Sequence, residues 1–147
     1  MRWYLDSSVL VAALVGQSPA AKAWLEGQSI AGDEFFASRM TEVEVHRHVT
    51  NRLLGQHSAP VEDVIEAYFD RINLLLITDA VLDDAITIQH PLGGADAIHV
   101  ASALQLGPSV TFVTHDRQQA SAMLALGFKV LDPVIDDPRG PVTAPPA

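Results

Sequence analysis

The sequence contains no cysteine and only two lysines, Lys22 and Lys129. Without cysteine, a disulfide scaffold, a zinc–thiolate centre and a thiol nucleophile are all excluded. The same absence fits a reducing compartment. The scarcity of lysine argues against an aspartate-based phosphoryl-transfer domain, because neither lysine follows a strand as such a site requires. Long apolar runs are missing too. The longest, Val9 to Val15, falls far short of the roughly 18 residues that a membrane span needs. The opening Met1-Arg2-Trp3-Tyr4-Leu5-Asp6 places an acid where a signal peptide is apolar. The expectation is a soluble, cytoplasmic protein with no membrane partner.

Positive charge is also short, with a formal net charge of −9. Binding to phosphate backbones ordinarily rests on an excess of Lys and Arg. Two considerations soften that conflict. Carboxylates gathered around a divalent cation add formal charge that the ion offsets. The basic residues are also uneven, with Arg39, Arg47, Arg52, His46, His48 and His57 in one stretch. The scattered acids elsewhere read as solubility. At 147 residues the chain is expected to be one domain, long enough to bury about two-thirds of its unfolded surface without a staple.

Strand and helix signals alternate along the chain. Arg2 to Leu5 reads as a first strand. Ser7 and Ser8 are placed to cap a helix from Val9 to about Val15. Ser18-Pro19 opens a second helix, with Ala20, Ala23, Trp24 and Ile30 expected to face inward. Gly32-Asp33 turns into a strand from Glu34 to Ala37. Thr41 to Leu54 is helical, with Val45, Val49 and Leu53 at four-residue spacing, and Gly55 ends it. Pro60 to about Ile72 is amphipathic. Leu74 to Ile77 is a continuous apolar run, the pattern of a strand buried on both faces. Helices follow from Asp79 to Gln89 and, after Gly93-Gly94, from about Ala95 to Leu106. Ser109 to Thr114 is a strand, Asp116 to Leu126 a helix closed by Gly127, and Phe128 to Leu131 the last strand. Residues 1–133 are taken as the domain. Five prolines and one glycine in the last 15 residues make 134–147 an expected loose tail. The alternation predicts a parallel sheet with helices on both faces.

In open α/β sheets, sites form at the carboxyl ends of strands. Asp6 follows the first strand, and Asp116 lies just beyond the strand ending near Thr114. If those strands are neighbours they lie about 4.8 Å apart, and the two carboxylates can meet. A lone Asp there is more often a helix cap, but Ser8 and Thr114 beside these two favour a site. Asp96 opens a helix among small apolar residues, where solvation explains it poorly. Its ordinary reading is a favourable charge at a helix N-terminus. Glu44 stands three residues after Thr41, the spacing of a capping box. Glu42 is the competing acid, on a different face of the same helix. Carboxylates gathered closely are unstable alone: two unit charges 5 Å apart repel by about 3 kcal/mol at an effective dielectric of 20. Such a cluster takes up protons or binds metal. Ligands that are all oxygen suit Mg²⁺ or Mn²⁺, which activate water and stabilise a phosphodiester displacement.

Four segments together carry a resemblance. Leu5-Asp6-Ser7-Ser8-Val9-Leu10 resembles the opening motif of PIN domains. Ser38 to Glu44, reading S-x-x-T-x-x-E, is similar to their second acidic motif. Asp96-Ala97-Ile98-His99-Val100-Ala101-Ser102-Ala103 resembles the third. Phe112-Val113-Thr114-His115-Asp116-Arg117 resembles the fourth, continued by Gly127 to Leu131. The four occur in order over residues 3 to about 133. Their size and spacing are most similar to VapC-type toxins of VapBC toxin–antitoxin pairs.

The resemblance implies a three-layer α/β/α sandwich on a mostly parallel sheet of about five strands. It implies a metal-dependent endoribonuclease in which Asp6, Glu44, Asp96 and Asp116 hold Mg²⁺, with Mn²⁺ able to substitute. Thr114 and Ser8 would support Asp116 and Asp6 by hydrogen bonds. The family pattern favours Glu44 over Glu42. It also implies an RNA substrate, single-stranded or looped, a VapB-type antitoxin and a homodimer. The chain departs from the pattern before the third motif, where many relatives carry a basic residue and this chain has Pro91-Leu92-Gly93-Gly94. Arg39, Arg47 and Arg117 are the candidates for contacting RNA or antitoxin in its place. His99, three residues after Asp96, is expected to have a structural role rather than to act as a ligand or base. A PIN-like binding module without catalysis is one rival reading. A metal-dependent adhesion domain is another, but Leu10 stands where its second loop serine belongs.

Overall fold

The computed structural model describes residues 1–15, 18–53 and 59–134. The expected stop at Gly55, the side chains of Leu53 and His57, and the tail beyond Val134 lie outside the described residues. The elements are β1 (Arg2–Leu5), α1 (Ser7–Leu14), α2 (Pro19–Ile30), β2 (Glu34–Ser38), α3 (Arg39–Leu53) and α4 (Ala59–Phe69). They continue with β3 (Ile72–Leu75), α5 (Asp79–Thr87), α6 (Gly94–Leu106), β4 (Thr111–Val113), α7 (Arg117–Ala125) and β5 (Lys129–Leu131). The strands form one parallel sheet in the order β3-β2-β1-β4-β5.

Alternation along the strands builds two cores. Trp3, Leu5, Phe35, Val113 and Leu131 point to one face, under α1, α2, α3 and α4. Tyr4, Phe112 and Val130 point to the other, under α6 and α7. Side chains in a strand point to opposite faces with a period of two, so each strand feeds both cores. α5 packs against α6. The result is a three-layer α/β/α sandwich, as the alternating pattern predicts.

Several local expectations are corrected. The apolar run at 74–77 is not a doubly buried strand. The strand is Ile72–Leu75, it pairs only with β2, Asn73 is exposed, and Leu76 beyond it is 70% exposed. An apolar run reads the same whether it has one sheet neighbour or two. On α2 the inward face is Ala21, Trp24 and Leu25, not Ala20 and Ala23, and Ile30 is 89% exposed. The Trp24 ring sets that rotation: it stands edge-on to Trp3 at 5.1 Å and to Phe35 at 6.5 Å. Ala21 and Leu25, on its flanks, turn inward with it.

The caps differ as well. Asp6, not Ser7 or Ser8, is the N-cap of α1, and Asp116 is the N-cap of α7. α3 starts two residues earlier than expected, directly from β2. Ser38 Oγ accepts from Met40 N at 3.0 Å, while the Thr41 hydroxyl is buried without a hydrogen-bond partner among the described residues. The Thr41–Glu44 capping box therefore does not form, which frees Glu44 for other contacts. Gly127 closes α7 as expected, at φ 87°, where a side chain would be strained. Among the described residues no helix is long and apolar enough to cross a membrane.

Candidate functional site

The sheet order decides where a site can form. From β1 the chain moves outward through β2 to β3, then returns to the other side of β1 for β4 and β5. The order reverses between β1 and β4, and ligands of open α/β sheets bind in the crevice beyond such a switch point. Asp6 ends β1, and Asp116 lies past the end of β4, which pairs directly with β1. Glu44 comes up from the second turn of α3 and Asp96 from the first turn of α6. All four carboxylates line one cavity of about 270 Å³, together with Ser7, Ser8, Val11, His48 and Gln119.

Asp6 is the deepest, 2% exposed. Its Oδ2 accepts from Ser8 Oγ at 2.6 Å, Thr114 Oγ1 at 3.1 Å and Ser8 N at 3.3 Å. Three donors on one oxygen fix the carboxylate rigidly. Thr114 serves both strand ends, because its hydroxyl donates to Asp6 and accepts from Asp116 N at 2.9 Å. Its support for Asp116 therefore goes to the backbone and not to the carboxylate. Ser8 Oγ in turn accepts from His115 N at 3.1 Å. Asp116 Oδ1 accepts from Gln118 N at 2.8 Å and Gln119 N at 3.2 Å. Capping and site-building are thus one arrangement for both aspartates. The cap aims each carboxylate by tying it to its own helix.

The charges lean on one another. Burial first, and then the negative charges of Asp116 and Asp6, push the Asp96 carboxyl above its usual range, against the opposing effect of a Gln119 hydrogen bond and of His99. His99 is fully buried, with Nε2 2.5 Å from Glu44 Oε1 and 3.7 Å from Asp6 Oδ1. Its Nδ1 meets the Tyr4 hydroxyl at 3.1 Å. Burial alone would lower the His99 pKa. The Glu44 hydrogen bond and the charges of Asp6, Glu44 and Asp96 outweigh it and raise it. Burial above all, with Asp6 adding to it, raises the Tyr4 phenol and keeps it protonated. In either ionisation state of the ring, His99 Nε2–H donates to Glu44.

This gives the structural role expected of His99 its particular form. The residue is buried in the core, but it also holds the Glu44 carboxylate in place. Glu42 pairs instead with Arg39 at 3.2 Å and does not line the cavity. Nor do the three arginines considered for RNA or antitoxin contact. Arg39 is engaged with Glu42, Arg47 Nη2 donates to Asn51 at 3.3 Å, and Arg117 is exposed. Among the described residues the basic side chain on the cavity wall is His48, four residues after Glu44 and so on the same helix face.

Sequence reasoning missed Gln119 and Tyr4, and named His48 only as one of a basic stretch. His48 had a legible signal in its spacing from Glu44. Gln119 had only its place three residues after Asp116, shared with an indistinguishable neighbour, Gln118. Yet Gln119 is 1% exposed, and its Nε2 donates to Asp96 Oδ1 at 2.7 Å and Asp6 Oδ1 at 3.3 Å.

The donor set suits a hard divalent cation, being carboxylate oxygen on every side of one polar cavity. Among the described residues, however, no three acidic or histidine side chains stand in a ready-made coordinating arrangement. Their oxygens are held by Gln119, His99, Ser8, Thr114 and the α7 backbone. The chemistry fits a cation, and the carboxylates meanwhile share internal donors.

The fold has counterparts among solved structures. A chain of VapBC2 from Rickettsia felis, bound to a promoter DNA fragment, superposes with a TM-score of 0.65 at 12% identity, covering 83% of this chain and 93% of that one. A toxin–antitoxin complex from Klebsiella pneumoniae gives 0.65 at 16% identity, with 89% and 97% covered. VapBC-1 from nontypeable Haemophilus influenzae gives 0.63 at 16% identity, with 90% and 98% covered. At such identities the likeness is one of fold. No curated protein matches the sequence significantly. The family model of the PIN domain matches residues 3–123. That match spans most of the chain and takes in all four cavity acids, and by it the protein belongs to the PIN-domain family.

Proposed function

We propose that this protein is a divalent-cation-dependent endoribonuclease, the VapC-type toxin half of a type II toxin–antitoxin pair. The observation that carries the reading is the convergence of Asp6, Glu44, Asp96 and Asp116, from four separate elements, on one cavity at the sheet's switch point. Family membership supports nuclease chemistry, and the fold shared with chains of VapBC structures supports the toxin role.

Held by Asp6, Glu44, Asp96 and Asp116, Mg²⁺ or Mn²⁺ would supply charge neutralisation at the phosphate and activation of water. The chain's own residues prepare that chemistry. Ser8 and Thr114 aim Asp6, the α7 backbone aims Asp116, and His99 holds Glu44. Asp96 completes the set from the first turn of α6, with Gln119 between it and Asp6. A metal-activated water would need no side-chain nucleophile, and the Ser8 hydroxyl is engaged as a donor to Asp6 Oδ2.

The proposed substrate is RNA, single-stranded or looped. The proposed partners are a VapB-type antitoxin and a second copy of the chain, in the cytoplasm. His48 is the basic group best placed to meet a phosphate that enters the cavity.

The test is incubation of the purified protein with total cellular RNA, with and without Mg²⁺, followed by mapping of new ends. Discrete new ends should appear only with the cation. Asp6→Asn and Asp116→Asn should each nearly abolish them while leaving the circular dichroism spectrum unchanged. Near-wild-type cleavage by both variants would overturn the assignment.

A further inference from the structure

Asp6 Oδ2 is already saturated by three donors, from Ser8 N, Ser8 Oγ and Thr114 Oγ1. Any cation held by Asp6 must therefore use Oδ1. That oxygen receives Gln119 Nε2 at 3.3 Å, and the same nitrogen sits 2.7 Å from Asp96 Oδ1. The amide orientation is settled by its surroundings. A flipped amide would turn its oxygen onto two carboxylate oxygens. Gln119 is 1% exposed, and among the described residues its Oε1 is buried with no hydrogen-bond partner. A buried amide with one satisfied end and one orphaned end is costly. It persists here because its N–H groups lie between two negative charges.

We infer that Gln119 is an internal counter-group that competes with the metal. Its amide N–H groups hydrogen-bond to Asp6 and Asp96 in the cation-free protein and must yield those oxygens before a divalent cation is held. Gln119 is thus a positioning residue that lowers cation affinity while protecting the fold when no cation is present. The inference rests on the reading of Asp6 and Asp96 as cation ligands, and it adds a competitor that the reading does not require. Removing a group that stabilises only the cation-free state tightens cation binding by the same free energy.

The experiment is calorimetric titration of the metal-free protein with Mn²⁺, together with thermal melts in chelator and in saturating Mn²⁺. Gln119→Leu keeps the volume and removes the donors. It should melt below wild type in chelator, approach wild type in Mn²⁺, and bind Mn²⁺ about tenfold more tightly, the weight of one charge-assisted hydrogen bond. Should Gln119→Leu be unfolded without cation, its folding on addition of Mn²⁺, followed by circular dichroism, reads the same coupling. Gln119→Glu, which adds a carboxylate, should bind Mn²⁺ more tightly still.

Equal or weaker Mn²⁺ binding by both variants, with a melting deficit that is the same with and without Mn²⁺, would show a structural residue only and overturn the inference while leaving the nuclease reading intact. Absence of Mn²⁺ binding in wild type and variants alike would overturn both.

Discussion

Asp96→Asn removes one negative charge from the cavity with little change in shape. Asp96 Oδ1 and Asp6 Oδ1 share Gln119 Nε2 through bonds of 2.7 and 3.3 Å, so they lie at most about 6 Å apart. Two unit charges at that distance repel by about 3 kcal/mol at an effective dielectric of 20. Asp96 is only half-buried, and water and salt screen the pair to about 1 kcal/mol. The pKa of Asp96 is raised, first by burial and then by Asp116 and Asp6, and that direction sets the sign. A carboxyl whose folded value exceeds its unfolded value favours the fold fully only below the unfolded value, near pH 4 by the reference scale (about 3.9). The advantage is lost as pH rises through the folded value. At neutral pH the ionised Asp96 therefore destabilises the cation-free protein, and Asn does not. In chelator at about pH 7, D96N should melt about 3 °C above wild type, and the gap should close below about pH 4. In saturating Mg²⁺ the order should invert, because a ligand that binds only the folded state stabilises it, and D96N binds that ligand less tightly. Fluorimetric or circular dichroism melts measure all three conditions. If D96N melts below wild type in chelator, or if the gap ignores both pH and Mg²⁺, crowding of charge in the cavity is refuted.

Two further outcomes follow from the contacts around the cavity. Glu44→Gln should lose RNA cleavage by at least the ~100-fold that removal of a metal ligand's partner costs, whereas Glu42→Gln, which disturbs only the Arg39 pair, should keep most of it in the same gel assay. The reverse order would place the second acid of the site at Glu42. Thr114→Val removes a donor to Asp6 and the acceptor of Asp116 N at once, and should cost about 3 kcal/mol in urea denaturation. A loss under about 1 kcal/mol would show that Ser8 alone suffices to hold Asp6.

The cavity acids were legible because each stands at a position where local chain geometry constrains its direction. Asp6 and Asp116 follow strands, and Asp96 opens a helix. For Asp6 and Asp116 the reading as caps and the reading as cavity residues looked like alternatives, and in the structure both carboxylates cap a helix and line the cavity. A carboxylate that caps its own helix at a switch point is aimed into the crevice by the cap. Glu44 was separated from Glu42 only by family pattern, and in the structure Glu44 lines the cavity beside His99 while Glu42 pairs with Arg39. His99 shows where one-dimensional reasoning stops. An apolar helix face around a histidine says that it is buried, but not that its two nitrogens meet Tyr4 and Glu44, residues 95 and 55 positions away.

The order of strands and helices, and the placing of Asp6 and Asp116 after strands and of Asp96 at a helix start, are local properties, carried by periodicity and by turn and cap chemistry. The sequence by itself determined these. The edge position of β3, the rotation of α2 about Trp24, the choice of His48 over the arginines at the cavity wall, and the placing of Gln119 between Asp6 and Asp96 were decided only by tertiary structure. Each depends on which distant segment lies across the gap, and a hydrogen bond a few ångströms long between residues 23 or 113 apart leaves no periodic trace in the chain.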